Sequence, residues 1–379
     1  MGRHNTKRNV RVHQREGAVE REALERRYFS RMEPVPEFAM LVVATGRKPE
    51  PFHRWLPYRQ GFAPELVRRF LKDGELVDGP VLDPFTGSGT VLIETARAGR
   101  EAWGTEALAS VAFVANARLL PPPESLEFPP EAVTLDDAWR LADTDQKRAA
   151  VLCAASRTVS GDGAPLKQRP SDRTLLDEVC AIMASDWLRP LPGTGHCEVG
   201  DARALPFEDE SVGGILTSPP YLSRYDYTRV NRPMERLFNP PEADAESGAR
   251  QVRARRGAGS HSREILHRAM QETIERLLEN GKRREAAAVR GYAEDMRRVV
   301  TECARVLKPG APLTMVVAGA MFGKVYVPAD YLILDYCAEE GLEIEEIICA
   351  RTFADRGPAL GSIPTVAPRE LVFSARKRT

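Results

Sequence analysis

The sequence predicts an α/β protein built on a doubly wound, mostly parallel sheet that two largely helical insertions interrupt. Three observations predict it. An apolar strand at 81–82 runs into a glycine turn and a helix from about 90 to 98, and the pattern repeats with a strand at 102–105 and a helix from about 109. Strand signals then return after a long interval, in GHCEVGDARALPF (195–207) and SVGGILTSPPY (211–221). A C-terminal stretch alternates once more between helical and strand periods.

In chain order, residues 1–15 hold Arg3, Lys7, Arg8, Arg11 and Arg15 without an acid, and read as a basic arm. Residues 17–32 read as a short charged helix, which completes an N-terminal unit at 1–49. In FHRWLPYRQGFAPELVRRFLKDG, Pro64 suits a first helical turn, Leu66, Phe70 and Leu71 share a face, and Gly74 ends the helix. The first block of the core spans 50–120 and closes at Pro121-Pro122-Pro123. Residues 121–194 break the alternation with helical stretches near 136–155 and 172–186, which marks a helical insertion. The core resumes at 195–228, and an arginine-rich insertion occupies 222–288, where Leu266, Met270, Ile274 and Leu277 form an apolar helical stripe. The last core block, 289–379, offers an amphipathic helix to 307, the buried strand PLTMVVAG, a helix near 328–340 that Gly341 stops, and a strand at 342–350. A loop at 355–367 and the strand ELVFSAR follow. No fixed-period repeat is present, which argues against a solenoid.

The chain has 379 residues, 42% hydrophobic and 28% charged, as in ordinary globular proteins that bury a full core. No apolar run approaches the length of a membrane span, and the basic N-terminus lacks the apolar centre of a secretory signal, so a cytoplasmic protein is expected. Cys153, Cys180, Cys197, Cys303, Cys337 and Cys349 form no CxxC pair or metal-ligand spacing, so reduced thiols and no metal are expected. The net charge is zero, but residues 249–290 carry eleven Lys/Arg against five Asp/Glu. Such runs are usually solvated faces, and gain meaning only if another feature calls for a polyanion.

The glycine turn, Asp83-Pro84-Phe85-Thr86-Gly87-Ser88-Gly89-Thr90, lies at the carboxyl end of a first strand, where open α/β sheets bind ligands. It lacks the third glycine of a dinucleotide fingerprint and the GK[ST] of a phosphate loop, which disfavours hydride transfer and nucleotide hydrolysis. A smaller adenosine ligand fits. Glu106, nineteen residues beyond Gly87, can hold the hydroxyls of a ribose, and Asp201 can accept from an adenine amino group, unless both acids only cap the following helices. The run ILTSPPYLSRYDYT then ends a strand on two prolines, with Ser218 before them and Tyr221 behind. It is either a strand stop with a surface tyrosine or a polar and aromatic jaw for a flat, amino-bearing ring.

Together, DPFTGSGT and TSPPY resemble the S-adenosylmethionine-dependent DNA amino-methyltransferases, which modify N4 of cytosine or N6 of adenine. The resemblance covers the core blocks and not the insertions or the arm. It implies a seven-stranded, methyltransferase-type (Rossmann-like) sheet and S-adenosylmethionine as cofactor. It further implies that Asp83, Phe85, Gly87, Gly89 and Thr90 surround the methionine part, that Glu106 binds the ribose, and that Asp201 and Ala202 meet the adenine. Trp55, Tyr58 and Phe62 fall where the family has another cofactor-contacting element. Ser218 and the Pro219 carbonyl would hold the target amino group, Pro220 would stiffen the turn, and Tyr221 would stack on a base flipped out of the duplex.

Serine at 218 leans toward cytosine N4 over adenine N6. Tyr225, Asp226, Tyr227 and Arg229 are candidates for the base pocket, with a packed polar loop as the alternative. The expected partner is double-stranded DNA, with 222–288 as the candidate target-recognition region. The resemblance suits a restriction-modification enzyme, although a partner nuclease is unknown. The competing substrate is an RNA amino group such as guanine N2 of tRNA, which the roughly 50 residues before the core disfavour. A non-catalytic nucleic-acid-binding scaffold is the other alternative, and the intact motifs disfavour it.

Overall fold

The computed structural model describes residues 19–43, 49–57, 61–222, 227–238, 249–253, 267–352 and 368–379. The basic arm at 1–15, Tyr58, Tyr225, Asp226 and the loop at 355–367 lie outside the described residues, as does the side chain of Tyr227.

The helices are α1 (Val19–Phe29), α2 (Phe38–Leu41), α3 (Pro64–Asp73), α4 (Thr90–Arg97), α5 (Ala109–Ala117), α6 (Leu135–Leu141), α7 (Asp145–Ser156), α8 (Asp172–Trp187), α9 (Tyr227–Phe238), α10 (Arg268–Glu279), α11 (Arg283–Val306) and α12 (Ala329–Glu339). The strands are β1 (Met32–Pro34), β2 (Val81–Asp83), β3 (Ala102–Glu106), β4 (Gly195–Val199), β5 (Gly214–Thr217), β6 (Pro312–Ala318), β7 (Ala320–Phe322), β8 (Val325–Val327), β9 (Leu342–Thr352) and β10 (Arg369–Lys377).

The main sheet has eight strands in the order β1-β9-β10-β6-β5-β2-β3-β4, and β7 and β8 form a separate hairpin. β10 runs antiparallel to both of its neighbours, while every other pairing in the main sheet is parallel. The doubly wound α/β expectation holds. The seven expected strands are present, and β1 is an eighth that pairs with β9 at the edge. Three residues, MEP, carry too little periodicity to announce a strand, and Pro34 is tolerated there because an edge strand leaves one row of N–H groups unpaired. The sheet therefore recruits residues from before position 50.

β2 pairs with β3 on one side and β5 on the other, so the chain winds outward through β4 and returns across its own start. That reversal is the topological switch point, where the strand ends splay and leave a crevice. Buried β-branched and aliphatic residues fill the central strands, as both faces are covered by helices.

The helical insertion shares a core with helices that flank the sheet. α6, α7 and α8 bury Leu135, Val151, Leu152, Leu175 and Val179 in one cluster with Val111 and Val114 of α5 and Met234 of α9. The helical pattern at 136–155 divides into two helices. Ala142 is extended, and Thr144 starts α7 by accepting from Lys147 N. Trp55 is spent in this cluster. Its indole is fully buried and edge-on to Trp187, and Nε1 donates to Asp186 at 2.9 Å.

Candidate active site

The turn after β2 is built by its own backbone chemistry. Gly87 and Gly89 have φ of +49° and +80°, left-handed values that favour glycine, and Gly89 then starts α4. Phe85 N donates to Asp83 Oδ1 at 3.0 Å, and Thr86 Oγ1 donates to the Asp83 carbonyl at 3.0 Å. Beneath the turn, β3 presents Gly104, where a Cβ would lie 2.2 Å from Thr86 Oγ1. The turn can sink onto the sheet only because that position has no side chain.

Glu106, at the end of β3, accepts from Gly87 N at 2.9 Å through one oxygen and from Leu108 N at 3.0 Å through the other. The same carboxylate thus braces the glycine turn and the start of α5 while it lines the cleft. α5 has no side-chain cap of its own, and Glu235 from α9 supplies one by accepting from Ser110 N at 2.9 Å. A further brace was not foreseen from the sequence. Arg118, 1% exposed, donates to the Ser88 carbonyl at 2.7 Å and to the Phe52 carbonyl at 3.0 Å. Burial pushes its guanidinium down to about 10. Its one sequence signal is a cation at the end of an otherwise apolar helix.

β5 ends beside β2, and Thr217 Oγ1 donates to Asp83 Oδ1 at 2.6 Å. This bond joins the strand that carries the glycine turn to the strand that carries SPPY, across the switch point. Among the described residues no group donates to the other Asp83 oxygen. Burial raises the Asp83 carboxyl to about 7, against the opposing pull of the bonds from Thr217 and Phe85. Glu106 is raised for the same reason, against the bonds from Leu108 and Gly87.

Around these strand ends lies an open cleft enclosing about 990 Å³, lined by Phe62, the turn from Asp83 to Ser88, Thr90, Glu106, Leu108, Val111, Gly200, Ala202, Ser218 and Pro220. Arg250, Gln251 and Val252 complete it, and no motif in the sequence announced them. Several contacts tie their segment down. Arg250 Nε donates to the Ala107 carbonyl at 3.2 Å, Gln251 Nε2 donates to Thr228 Oγ1 at 3.1 Å, and Arg253 N donates to buried Asp295 at 2.7 Å.

The structure thus brings together most of the sequence-selected residues. Asp201 stands just behind the lining between Gly200 and Ala202, and its carboxylate accepts from Arg203 N and Nε at 2.8 and 2.9 Å. Arg203 also pairs with Asp295 at 3.1 Å, so Asp201 belongs to the ionic chain that holds the 249–253 segment. Pro219 is buried between Ser218 and Pro220. Among the described residues no group hydrogen-bonds Ser218 Oγ, which leaves the hydroxyl open to the cleft. Tyr221 is half-buried at the rim. Arg229 is on the exposed face of α9, outside the cleft lining.

S-adenosylmethionine fits this cleft. Its charged methionine end would need close backbone approach and an anion, which Gly87 and Asp83 can offer; Gly89 is not part of the cleft lining. Its ribose diol would need a carboxylate, and Glu106 is one that lines the cleft. Its adenine needs an apolar slot, and Leu108, Val111, Ala202 and Val252 supply one.

No family model matches the chain. Over 87% of its own length and 87% of theirs, it is 22% identical to the Type II methyltransferase M.AvaI of Nostoc sp. strain PCC 7120 and of Anabaena variabilis. It is 33% identical over 92 residues, 24% of the chain and 18% of the relative, to the Type II methyltransferase M.BsoBI of Geobacillus stearothermophilus. Solved structures align more loosely. A SAM-dependent methyltransferase of Methanosarcina mazei aligns at TM-score 0.34 and 12% identity, over 81% of this chain and 97% of that one. A protein assigned as a DNA modification methylase of Thermus thermophilus aligns at TM-score 0.25 and 19% identity, over 48% and 53% of the two chains. The chain thus has a doubly wound, mostly parallel α/β sheet with an open cleft at its switch point, and it is similar over most of its length to the Type II methyltransferase M.AvaI of two organisms.

Proposed function

We propose that the chain methylates an exocyclic amino nitrogen of a base in DNA, with N4 of cytosine as the first choice. The observation that carries this reading is the Thr217–Asp83 bond, which sets the SPPY strand and the glycine turn on two walls of one cleft.

S-adenosylmethionine supplies a methyl group activated on a sulfonium. The protein's task is then to make a poor nucleophile attack in line. An exocyclic amino nitrogen shares its lone pair with the ring. Hydrogen bonds from that amino group to Ser218 Oγ and the Pro219 carbonyl would draw the nitrogen toward tetrahedral geometry and free the pair. Pro219 and Pro220 restrict the backbone that presents the acceptor. Tyr221 would stack on the extruded base. Asp83, Phe85, Gly87, Gly89 and Thr90 would surround the methionine end, Glu106 the ribose, and Asp201 with Ala202 the adenine edge, with Phe62 alongside. Serine at 218 supports cytosine N4, and adenine N6 is the second choice.

The surface next to the jaw supports a nucleic-acid substrate. On α9, Asn231, Met234 and Glu235 are buried against the core, while the exposed positions are Arg229, Arg232 and Arg236. Spacings of three and four place these arginines on one face of a helix that starts six residues after Tyr221. Such a face suits a phosphate backbone. In duplex binding measured against salt, the Arg232→Ala/Arg236→Ala double variant is expected to lower the slope of log K on log salt by about 1.8, near 0.9 per phosphate contact.

The reading is tested by incubating the protein with labelled S-adenosylmethionine and either duplex DNA or total RNA, then identifying the product nucleoside by mass spectrometry. N4-methylcytosine in DNA is expected. Label only in RNA, or DNA binding without label, would sink the reading.

A further inference from the structure

Glu370 is the second residue of β10, and it is 2% exposed although it lies at the same edge of the sheet as the cleft. One oxygen accepts from the Tyr221 hydroxyl at 2.6 Å. The other accepts from Arg351 Nε, and Arg351 is the residue directly opposite Glu370 on β9. β10 runs antiparallel to β6 and β9, so its first residues lie level with Ala318 at the end of β6 and arrive at the carboxyl edge of the parallel strands. A charged residue therefore reaches the jaw from the far end of the chain.

The strand that carries Glu370 is held firmly at this point. The neighbouring Arg369 points to the other face, as successive strand residues do. Its guanidinium is fully buried, pairs with Asp330 at 2.8 Å, and lies 4.1 Å from the ring of Tyr331. Register contacts to β6 on one side and β9 on the other fix the backbone between them. Glu370 is thus a fixed acceptor that grips the far end of the Tyr221 side chain. A tyrosine ring without such a tether keeps its χ1 and χ2 freedom, and a stacking surface loses preorganisation when its plane is free.

We infer that Glu370, with Arg351 behind it, is the positioning residue of the jaw: it fixes the plane of Tyr221 through the phenol so that the ring is preset to receive the extruded base. The inference rests on the reading of Tyr221 as the stacking residue. It makes the hydroxyl of that tyrosine useful without any part in bond making, and it links the jaw at 218–221 to a strand about 150 residues later.

Tyr221→Phe keeps the ring and removes the bond to Glu370, so it separates positioning from stacking. With S-adenosylmethionine and a duplex substrate, Tyr221→Phe and Glu370→Ala are each expected to lower kcat about tenfold, as for a lost hydrogen bond to a charged group. The dissociation constant for S-adenosylmethionine stays at the wild-type value in Tyr221→Phe. In the Glu370→Ala background, Tyr221→Phe lowers kcat less than it does in the wild-type protein, because the bond to Glu370 is already gone. Glu370→Gln retains an acceptor for the phenol and recovers most of the kcat lost in Glu370→Ala. A wild-type kcat in Tyr221→Phe, or losses that simply add in the double variant, would overturn the positioning role while leaving the methyltransferase reading intact. Failure of the wild-type protein to methylate DNA would overturn both.

Discussion

Asp83→Asn is expected to weaken S-adenosylmethionine binding by two to three orders of magnitude in a calorimetric titration at pH 8. The carboxylate lies at the end of β2 in the cleft wall, and it would face the ammonium of the cofactor's methionine end. A charge contact near 4 Å at the edge of a protein is worth about 4 kcal/mol, which corresponds to about a thousandfold. Asparagine keeps the shape of the side chain and can still accept from Thr217 or Phe85, so the turn survives and the loss is electrostatic. The pH dependence follows from the carboxyl's raised value of about 7. In the cofactor-free protein the folded state favours the protonated acid, so its contribution to stability is full below the ordinary carboxylate range and is lost as pH rises through 7. Cofactor binding has the opposite preference, because only the ionised form attracts a cation. S-adenosylmethionine affinity is therefore expected to rise between pH 6 and 8, with a proton released on binding near neutrality. Titrations in two buffers of different ionisation enthalpy measure that proton. A flat pH profile in the wild-type protein would remove Asp83 from the cofactor site.

Tyr221→Ala is expected to lower kcat/KM for DNA by roughly 5- to 150-fold, the equivalent of the 1–3 kcal/mol that base–aromatic stacking supplies. Cofactor affinity is unchanged, since Tyr221 is at the rim and outside the lining of the cofactor cleft. This pattern is the reverse of that for Asp83→Asn, and the two variants together divide the cleft into a cofactor half and a base half. If Tyr221→Ala instead raised the cofactor dissociation constant with kcat intact, the assignment of the jaw would be wrong.

The two halves differ in how far the sequence exposes them. Glycines, prolines and acids at strand ends are legible because their reasons are local. A left-handed turn needs Gly87 and Gly89, and two prolines must stop a ladder. The doubly wound class of the sheet follows from the same signals, since helix and strand periods alternate plainly in the core. Residues that act from a distance leave no such trace. Glu370 is an ordinary acid at the head of a strand until β10 folds back beside β6. Arg250, Gln251 and Val252 enter the cleft from an arginine-rich stretch, where each residue alone looks like solvated charge. Trp55 shows the converse error. An aromatic residue in a loop before the first strand reads alike whether it meets a ligand or a core, and here Asp186 and Trp187 of the insertion claim it. Glu106 has two simultaneous loads, bracing backbone N–H groups and facing the cleft, so helix capping and ligand binding were never exclusive alternatives for it.

The edge strand β1 has a consequence for how the chain comes to be folded. Met32, Glu33 and Pro34 pair with Ile347, Ile348 and Cys349, about 300 residues further on. During synthesis at 5–20 residues per second, β1 waits roughly 15–60 s for its partner to emerge. Until then its neighbours Tyr28 and Phe38, both buried in the finished molecule, have no complete surface to rest on. The first-made part of the sheet is thus among the last to be secured, and removal of the final strands would release the beginning of the chain as well as its end.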